Sequence, residues 1–315
     1  MTLTQLKYIL AVDKHRHFGR AAKSVHVAQP TLSVGIAKLE EYLGVIIFDR
    51  SRSTILPTSA GEKILKKAQT IIKQMQALEN LASEVDGEIS GNFKLGIIPT
   101  LAPFLVPQIV KTFGLNYPKV QLEIQEIKTE DIISLLDKDR LDAGLLATPL
   151  GEDFIVERAL YYEPFLVYVH EDHPLANKDK IKASDIDLKD LWVLSEGHCF
   201  RNQVLNLCTP SQKQVGQGHW SFQSGSLETL VNLVDQCGGL TLLPKMVSKN
   251  LPKKSKRLKE FVGNPPVREV GLVYSRLFLK EPIIDAIEKS ILDSLPEGIF
   301  SPKAFPQKAT VLAPN

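Results

Sequence analysis

The stretch Ala28-Gln29-Pro30-Thr31-Leu32-Ser33-Val34-Gly35-Ile36-Ala37-Lys38-Leu39-Glu40-Glu41-Tyr42-Leu43-Gly44 decides the fold of the N-terminal part of this chain. Pro30 suits a first helical turn, where its missing N–H costs nothing, and Gly44 suits the position just past a helix end. Leu32, Ile36, Leu39 and Leu43 fall on one face at helical spacing. Gln29, Thr31, Ser33 and Lys38 lie on the other, with Pro30 at its start. Short polar and basic side chains of this kind reach base edges and phosphates when a helix lies in the major groove.

Upstream, Leu3, Leu6, Ile9, Leu10 and Val12 recur at helical spacing, His17-Phe18 interrupts, and Gly19 to Ser24 resumes with the small pair Ala21-Ala22. Two short helices therefore precede the Gln29–Leu43 segment, which is the order of a helix-turn-helix whose second helix is the reader. Downstream, Phe48 to Thr58 reads as a short hairpin wing whose Arg50 and Arg52 suit backbone phosphates. An ordinary three-helix subdomain with polar outer faces carries the same local signals. The charge distribution favours the DNA reading: residues 1 to 58 hold eight Lys and Arg against four Asp and Glu, and the remainder holds 30 against 32.

From Ser59 the apolar residues Ile64, Ala68, Ile71, Met75, Leu78, Ala82 and Val85 alternate steps of four and three. This heptad register predicts a coiled-coil dimer seam, and a dimer supplies the paired readers that a two-fold DNA site requires. Asp86 to Gly91 is a polar, Gly-containing linker. Strand and helix patterns then alternate: strands over 93–98, 120–127, 141–147, 156–169, 191–194 and 239–244, helices over 101–116 and 129–137, and a late strand over 267–274 that can return to the first lobe. Alternation predicts a parallel α/β sheet in two lobes with a cleft between them. Thr100 opens a helix after Pro99, and Thr129 reads as an N-cap before Glu130-Asp131. Helix N-termini at strand ends are also where open α/β sheets bind ligands. The expected organisation is a DNA-binding domain over 1–58, a linker and dimerisation helix over 59–90, a two-lobed domain over 91–300 and a loose tail over 301–315 marked by Pro302, Pro306 and Pro314.

Two of the three cysteines lie in Ser195-Glu196-Gly197-His198-Cys199-Phe200-Arg201-Asn202-Gln203-Val204-Leu205-Asn206-Leu207-Cys208. Gly197 can turn the chain into a helix beginning near Cys199, and His198 and Arg201 flank that sulfur with groups that favour a thiolate. If residues 200 to 208 are helical, Cys199 and Cys208 are separated by about 13 Å, at roughly 1.5 Å per residue. A disulfide needs Cα atoms within roughly 7 Å, so joining them requires the helix to unwind. Free cysteines as small apolar fillers are the competing reading, and for Cys237, beside Gly238-Gly239 with no basic neighbour, it is the one adopted.

Phe18-Gly19-Arg20-Ala21-Ala22, Ala28-Gln29-Pro30-Thr31-Leu32-Ser33, Lys38-Leu39-Glu40 and Pro57-Thr58-Ser59-Ala60-Gly61 resemble the DNA-binding domain of LysR-type transcriptional regulators. Gly35 departs from that pattern, where Gln is usual. Pro99-Thr100, Thr129, Gly197-His198-Cys199, Arg201, Cys208, Ser226-Leu227-Glu228-Thr229-Leu230 and Gly271-Leu272-Val273-Tyr274 resemble the peroxide-sensing members of the family. The resemblance implies a winged helix-turn-helix domain, a linker helix and a two-lobed, periplasmic-binding-protein-like α/β regulatory domain. It implies a transcriptional activator responding to hydrogen peroxide, with Cys199 the peroxidatic thiol and Cys208 its resolving partner. Thr100, Thr129 and His198 would shape the pocket, with Arg201 and Arg268 supporting it electrostatically. The implied partners are double-stranded DNA, a homodimer or homotetramer and RNA polymerase. The histidine that usually follows the second cysteine would fall at Ser221, so His219 either takes its place or the role is absent.

The residues point to no cofactor, and Cys199, Cys208 and His198 lack a fourth metal ligand at regular spacing. No apolar run is long enough to span a bilayer, no secretory pattern opens the chain, and three cysteines suit the cytoplasm. A regulator with a metabolite in its cleft and a thiol peroxidase enzyme are the rival readings. The DNA-binding head argues against the enzyme.

Overall fold

The structure is a computed structural model that describes residues 1–50, 54–84, 89–196, 199–207, 225–251, 256–276, 280–302, 305 and 310–314. Arg52, Val85, Gly197, His198, Cys208, His219 and Ser221 lie outside the described residues, so the expectations attached to them are not addressed by it. The chain divides into two compact units, Met1–Glu88 and Ile89–Asn315.

In the first unit, α1 (Leu3–His15), α2 (Phe18–Ser24) and α3 (Gln29–Leu43) are followed by a two-stranded wing, β1 (Phe48–Asp49) and β2 (Leu56–Pro57), and by the long α4 (Ser59–Glu84). Local chemistry sets each start. Thr2 and Gln5 form a reciprocal capping box on α1. His17 caps α2, its Nδ1 accepting from the amides of Gly19 at 3.0 Å and Arg20 at 3.3 Å. Leu32, Ile36 and Leu39 are wholly buried together with Ile9, Val12 and Ala21, as the helical period of α3 requires. Leu65 and Ala68 of α4 close this core, with Ile64 and Ile72 half-buried against it. The first turns of α4 therefore serve their own domain through α1, and the exposed apolar residues of the predicted seam begin later, with Ile71 at 37% and Leu78 at 69% exposure. Gly61 permits that packing, since a Cβ there would sit 2.1 Å from the Ile47 carbonyl oxygen.

The second unit comprises β3 (Gly91–Ile97), α5 (Ala102–Asn116), β4 (Val120–Glu126), α6 (Thr129–Asp137), β5 (Ala143–Thr148), β6 (Ile155–Val169), β7 (Lys180–Ile181), β8 (Leu191–Trp192), α7 (Cys199–Leu207), α8 (Leu227–Cys237), β9 (Leu240–Pro244), β10 (Leu258–Phe261), β11 (Val267–Ser275) and α9 (Glu281–Leu292). β3 pairs in parallel with β4 and β5, but β11 runs antiparallel to both β5 and β6, and β6 antiparallel to β9 and β10. The sheet is thus mixed, where alternation predicted a parallel one. β5 and β6 run the same way and are joined by residues 149–154; the late strand β11 lies between them and runs opposite to both, which makes the sheet mixed.

Two apolar cores mark two lobes. Phe93, Leu95, Leu105, Leu145, Ile284 and Ile287 build the first, and Val167, Trp192, Phe200, Val204, Leu230 and Leu242 the second. The long β6 and the late strand β11 run between them, and β11 returns to β5 of the first lobe as expected. The loose-tail expectation fails for the described part of the C-terminal segment. Val311 bridges Val267, Leu312 is buried in the second core, and the Phe305 ring stacks on Tyr162 with centroids 4.0 Å apart. An apolar side chain in reach of an open core edge gains more by burial than the chain end loses in freedom.

Candidate functional site

Three segments converge where the lobes meet. The turn Ile98-Pro99-Thr100, the start of α6 at Lys128-Thr129, and the start of α7 at Cys199-Phe200 line one small cavity of about 10 Å³. That is room for one water-sized molecule. Cys199 is the first residue of α7 and a free thiol, as is Cys237, which stands exposed at the end of α8. The expected helix is present through Leu207 and carries the chain about 12 Å along its axis from Cys199.

Thr100 is not a helix cap. α5 starts at Ala102 with Leu101 as its N-cap, which leaves Thr100 in the turn, 2% exposed, its Oγ1 accepting from Arg268 Nη1 at 3.0 Å. Thr129 is not the cap of α6 either. Lys128 holds that position with extended backbone, so Thr129 falls in the first turn, where its buried Oγ1 has no oxygen or nitrogen partner among the described residues and acts on the Cys199 thiol. Lys128 reaches across to the Glu196 carbonyl, 3.4 Å away.

Burial pushes the Cys199 thiol up from its ordinary range. The Thr129 hydroxyl, the Arg268 charge and the amides of Phe200 and Cys199 pull the other way without overcoming it. Among the described residues the cation acting on the sulfur is therefore Arg268, from β11. Arg201 is spent elsewhere: its Nη1 donates to the Leu194 carbonyl at 2.9 Å and ties the start of α7 to the end of the second-lobe sheet. Arg268 is wholly buried, with its guanidinium carbon 5.6 Å from the Phe200 ring centroid. Its counter-charge is Glu163 of β6, also wholly buried, at 2.7 Å. Sequence reasoning missed Glu163. The available signal was a lone carboxylate inside the apolar run Leu160 to Val169, since a buried charge requires a partner.

In the first unit, Gln29, Pro30, Thr31 and Lys38 are exposed and Ser33 is half-buried, all on α3 away from its core face. Arg50 is exposed but internally engaged, its Nη2 2.6 Å from Glu40 Oε2 and its guanidinium carbon 5.2 Å from the Phe18 centroid. Glu40, also missed as a site residue, accepts the amides of Ile47 at 2.8 Å and Phe48 at 3.2 Å and so fastens the wing to α3. Gly35 has a packing reason: a Cβ there would meet the Tyr8 ring at 2.9 Å.

The head matches the bacterial regulatory helix-turn-helix model of the lysR family over residues 3–62, and residues 86–294 match the LysR substrate binding domain. The chain belongs to the LysR family. Among its relatives in that family is the DNA-binding transcriptional dual regulator OxyR of Escherichia coli K12, 35% identical over 278 residues, covering 87% of this chain and 89% of that protein. A hydrogen peroxide-inducible genes activator of Pectobacterium carotovorum is 36% identical over 279 residues, covering 87% and 90%. Full-length OxyR of Pseudomonas aeruginosa, solved as a variant, superposes with a TM-score of 0.76 at 34% identity over 93% of this chain and 98% of that one. A hydrogen-peroxide-bound OxyR variant of Corynebacterium glutamicum superposes with a TM-score of 0.59 at 28% identity over 93% and 92%. As LysR-family architecture requires, a helix-turn-helix head precedes a two-lobed regulatory unit. Among the described residues no group of three His, Cys, Asp or Glu could hold a metal ion, and no helix is long and apolar enough to cross a membrane.

Proposed function

We propose that this LysR-family regulator binds promoter DNA and is switched by hydrogen peroxide through a reversible Cys199–Cys208 disulfide, activating transcription when oxidised. The observation that carries the reading is the Cys199 thiol at the start of α7, in a cavity of about 10 Å³ lined by Thr100 and Thr129, with Arg268 acting on the sulfur. An organic effector needs a pocket of roughly 300 Å³ or more, so the cavity suits a molecule of two heavy atoms better than a metabolite. A larger surface groove, about 710 Å³ beside Arg257, is lined by Lys256 and by three charges paired with one another, Arg257 with Glu171 at 2.6 Å and with Asp235 at 2.8 Å. The peroxide named for several relatives supports the same reading.

In the reaction, the Cys199 thiolate attacks one peroxide oxygen, the O–O bond breaks, and hydroxide leaves to take up a proton as water. The Cys208 thiolate then attacks the resulting sulfenic acid, forming the S–S bond and releasing a second water once its hydroxide is protonated. Thr100, Thr129 and His198 shape the pocket, Arg268 supports it electrostatically, and Arg201 anchors the start of α7. Closing the disulfide unwinds part of α7, and the change in the 91–300 regulatory region is passed through the 59–90 helix to the 1–58 heads of a dimer or tetramer. Exposed Ile71 and Leu78 support that helix as the seam. Gln29, Pro30, Thr31, Ser33 and Lys38 read DNA from α3, Arg50 and Arg52 meet backbone phosphates, and RNA polymerase is the downstream partner. The test is a footprint on a bound promoter with and without peroxide. Wild type shifts its protected bases on oxidation, and Cys199→Ser binds but does not shift; a shifting Cys199→Ser protein contradicts the reading.

A further inference from the structure

We infer that Glu163 is the positioning residue that fixes the donor and acceptor pattern of the Cys199 cavity, acting through Arg268 on Thr100. The inference rests on the peroxide reading above and adds to it a residue that never touches the oxidant.

Glu163 on β6 stands directly opposite Arg268 on β11, and facing residues of an antiparallel pair project from the same side of the sheet. Both are wholly buried. Glu163 Oε2 accepts from Arg268 Nε at 2.9 Å and Nη2 at 2.7 Å, and Oε1 accepts the Met246 amide at 2.7 Å. The carboxylate is thus held by the backbone on one side and grips one edge of the guanidinium on the other. A guanidinium is planar, and gripping one edge aims the remaining nitrogen. That nitrogen, Nη1, donates to Thr100 Oγ1 at 3.0 Å, and Nη2 also lies 3.4 Å from the Thr100 carbonyl.

The consequence concerns one proton. A guanidinium only donates, so Thr100 Oγ1 must accept from it, and the Thr100 O–H is left to donate to another acceptor. Thr100 lines the cavity that also holds Cys199 and Thr129. A donor aimed at the oxygen that departs when sulfur attacks peroxide stabilises its developing negative charge. The same carboxylate neutralises Arg268 and removes the cost of an unpaired cation in an apolar interior. Without Glu163, Arg268 has no reason to present Nη1 to Thr100.

The experiment measures the second-order rate constant for Cys199 oxidation by hydrogen peroxide in the full-length protein from pH 5.5 to 10, with thermal unfolding of each variant. Glu163→Gln places an amide N–H₂ against donors it cannot pair with. Its rate constant at the high-pH limit, where the thiolate is fully formed, falls by at least about tenfold, on the scale of losing one oriented donor. Glu163→Asp recovers part of that loss. Glu163→Gln/Arg268→Met, which leaves no unpaired buried charge, regains thermal stability and stays slow, which separates positioning from folding. A folded Glu163→Gln protein with the wild-type limiting constant beside a reactive wild type removes this inference alone. A wild type whose Cys199 does not react with peroxide removes the peroxide reading itself.

Discussion

The Gln203 side chain on α7 donates through Nε2 to the main-chain oxygen of Leu312 at 2.7 Å, although the two residues are 109 positions apart. Gln203 is wholly buried and Leu312 nearly so, and the Leu312 amide donates back to the Val267 carbonyl at 2.9 Å. The helix that begins with Cys199 therefore holds the C-terminal segment against the second lobe. Gln203→Leu leaves the Leu312 carbonyl buried without a donor, a loss of about 1–3 kcal/mol. Urea unfolding should register it as a lower midpoint with an unchanged slope.

The same bond couples the segment to oxidation. If peroxide remodels α7, Gln203 withdraws and residues 310–314 come free. Limited proteolysis should then clip the C-terminus faster in the oxidised than in the reduced protein. Equal rates in both states would mean that α7 keeps its Gln203 contact.

Raising the Cys199 thiol's pKa has a definite sign. The thiolate is the nucleophile, so the oxidation rate constant climbs as pH rises through the neutral range and levels only above the ordinary cysteine value, about 8.5. Arg268→Met removes one of the influences that lower the pKa and moves the rise to still higher pH. For folding, a raised native pKa means that the folded state holds this proton more tightly than the unfolded chain. The corresponding stability is complete below the unfolded value and is lost as pH rises through the folded one. Denaturation midpoints of wild type and Cys199→Ser at neutral and alkaline pH measure it, wild type losing more than the variant.

In the DNA head, Gly35→Ala brings a methyl into the Tyr8 ring at 2.9 Å. Overpacking of about 1–3 kcal/mol outweighs the roughly 1 kcal/mol that alanine gains in a helix interior. The head should melt earlier, and Gly35→Ala/Tyr8→Leu should recover most of the loss.

Lys38 is exposed on α3 and has a simpler signature. Lys38→Ala should weaken binding to promoter and unrelated DNA alike and reduce the slope of log affinity against log salt by about one. An effect confined to one sequence would instead make Lys38 a base reader.

The parts legible in the sequence were those governed by local period. The buried face of α3 follows from Leu32, Ile36 and Leu39 alone, and α7 runs from Cys199 to Leu207, where a helix was expected. Local propensity misplaced the two threonines, because Lys128 and Leu101 take the cap positions and free Thr129 and Thr100 to line the cavity. Neighbours in sequence also misled on charge. Arg201 is near Cys199 along the chain, yet Arg268 acts on the sulfur, and its partner Glu163 lies 105 positions from it. Only the register of β6 against β11 brings these two together, and register is not written in either strand by itself.

In the proposed switch Cys199 meets peroxide first and Cys208 resolves it. The most direct measurement is intact-mass and peptide mapping of the reduced protein after a brief, near-stoichiometric peroxide pulse, with Cys199→Ser treated alongside. The expected result is a Cys199–Cys208 crosslink within seconds in wild type and none in the variant. Unmodified thiols, or oxidation spread evenly onto exposed Cys237, would contradict it.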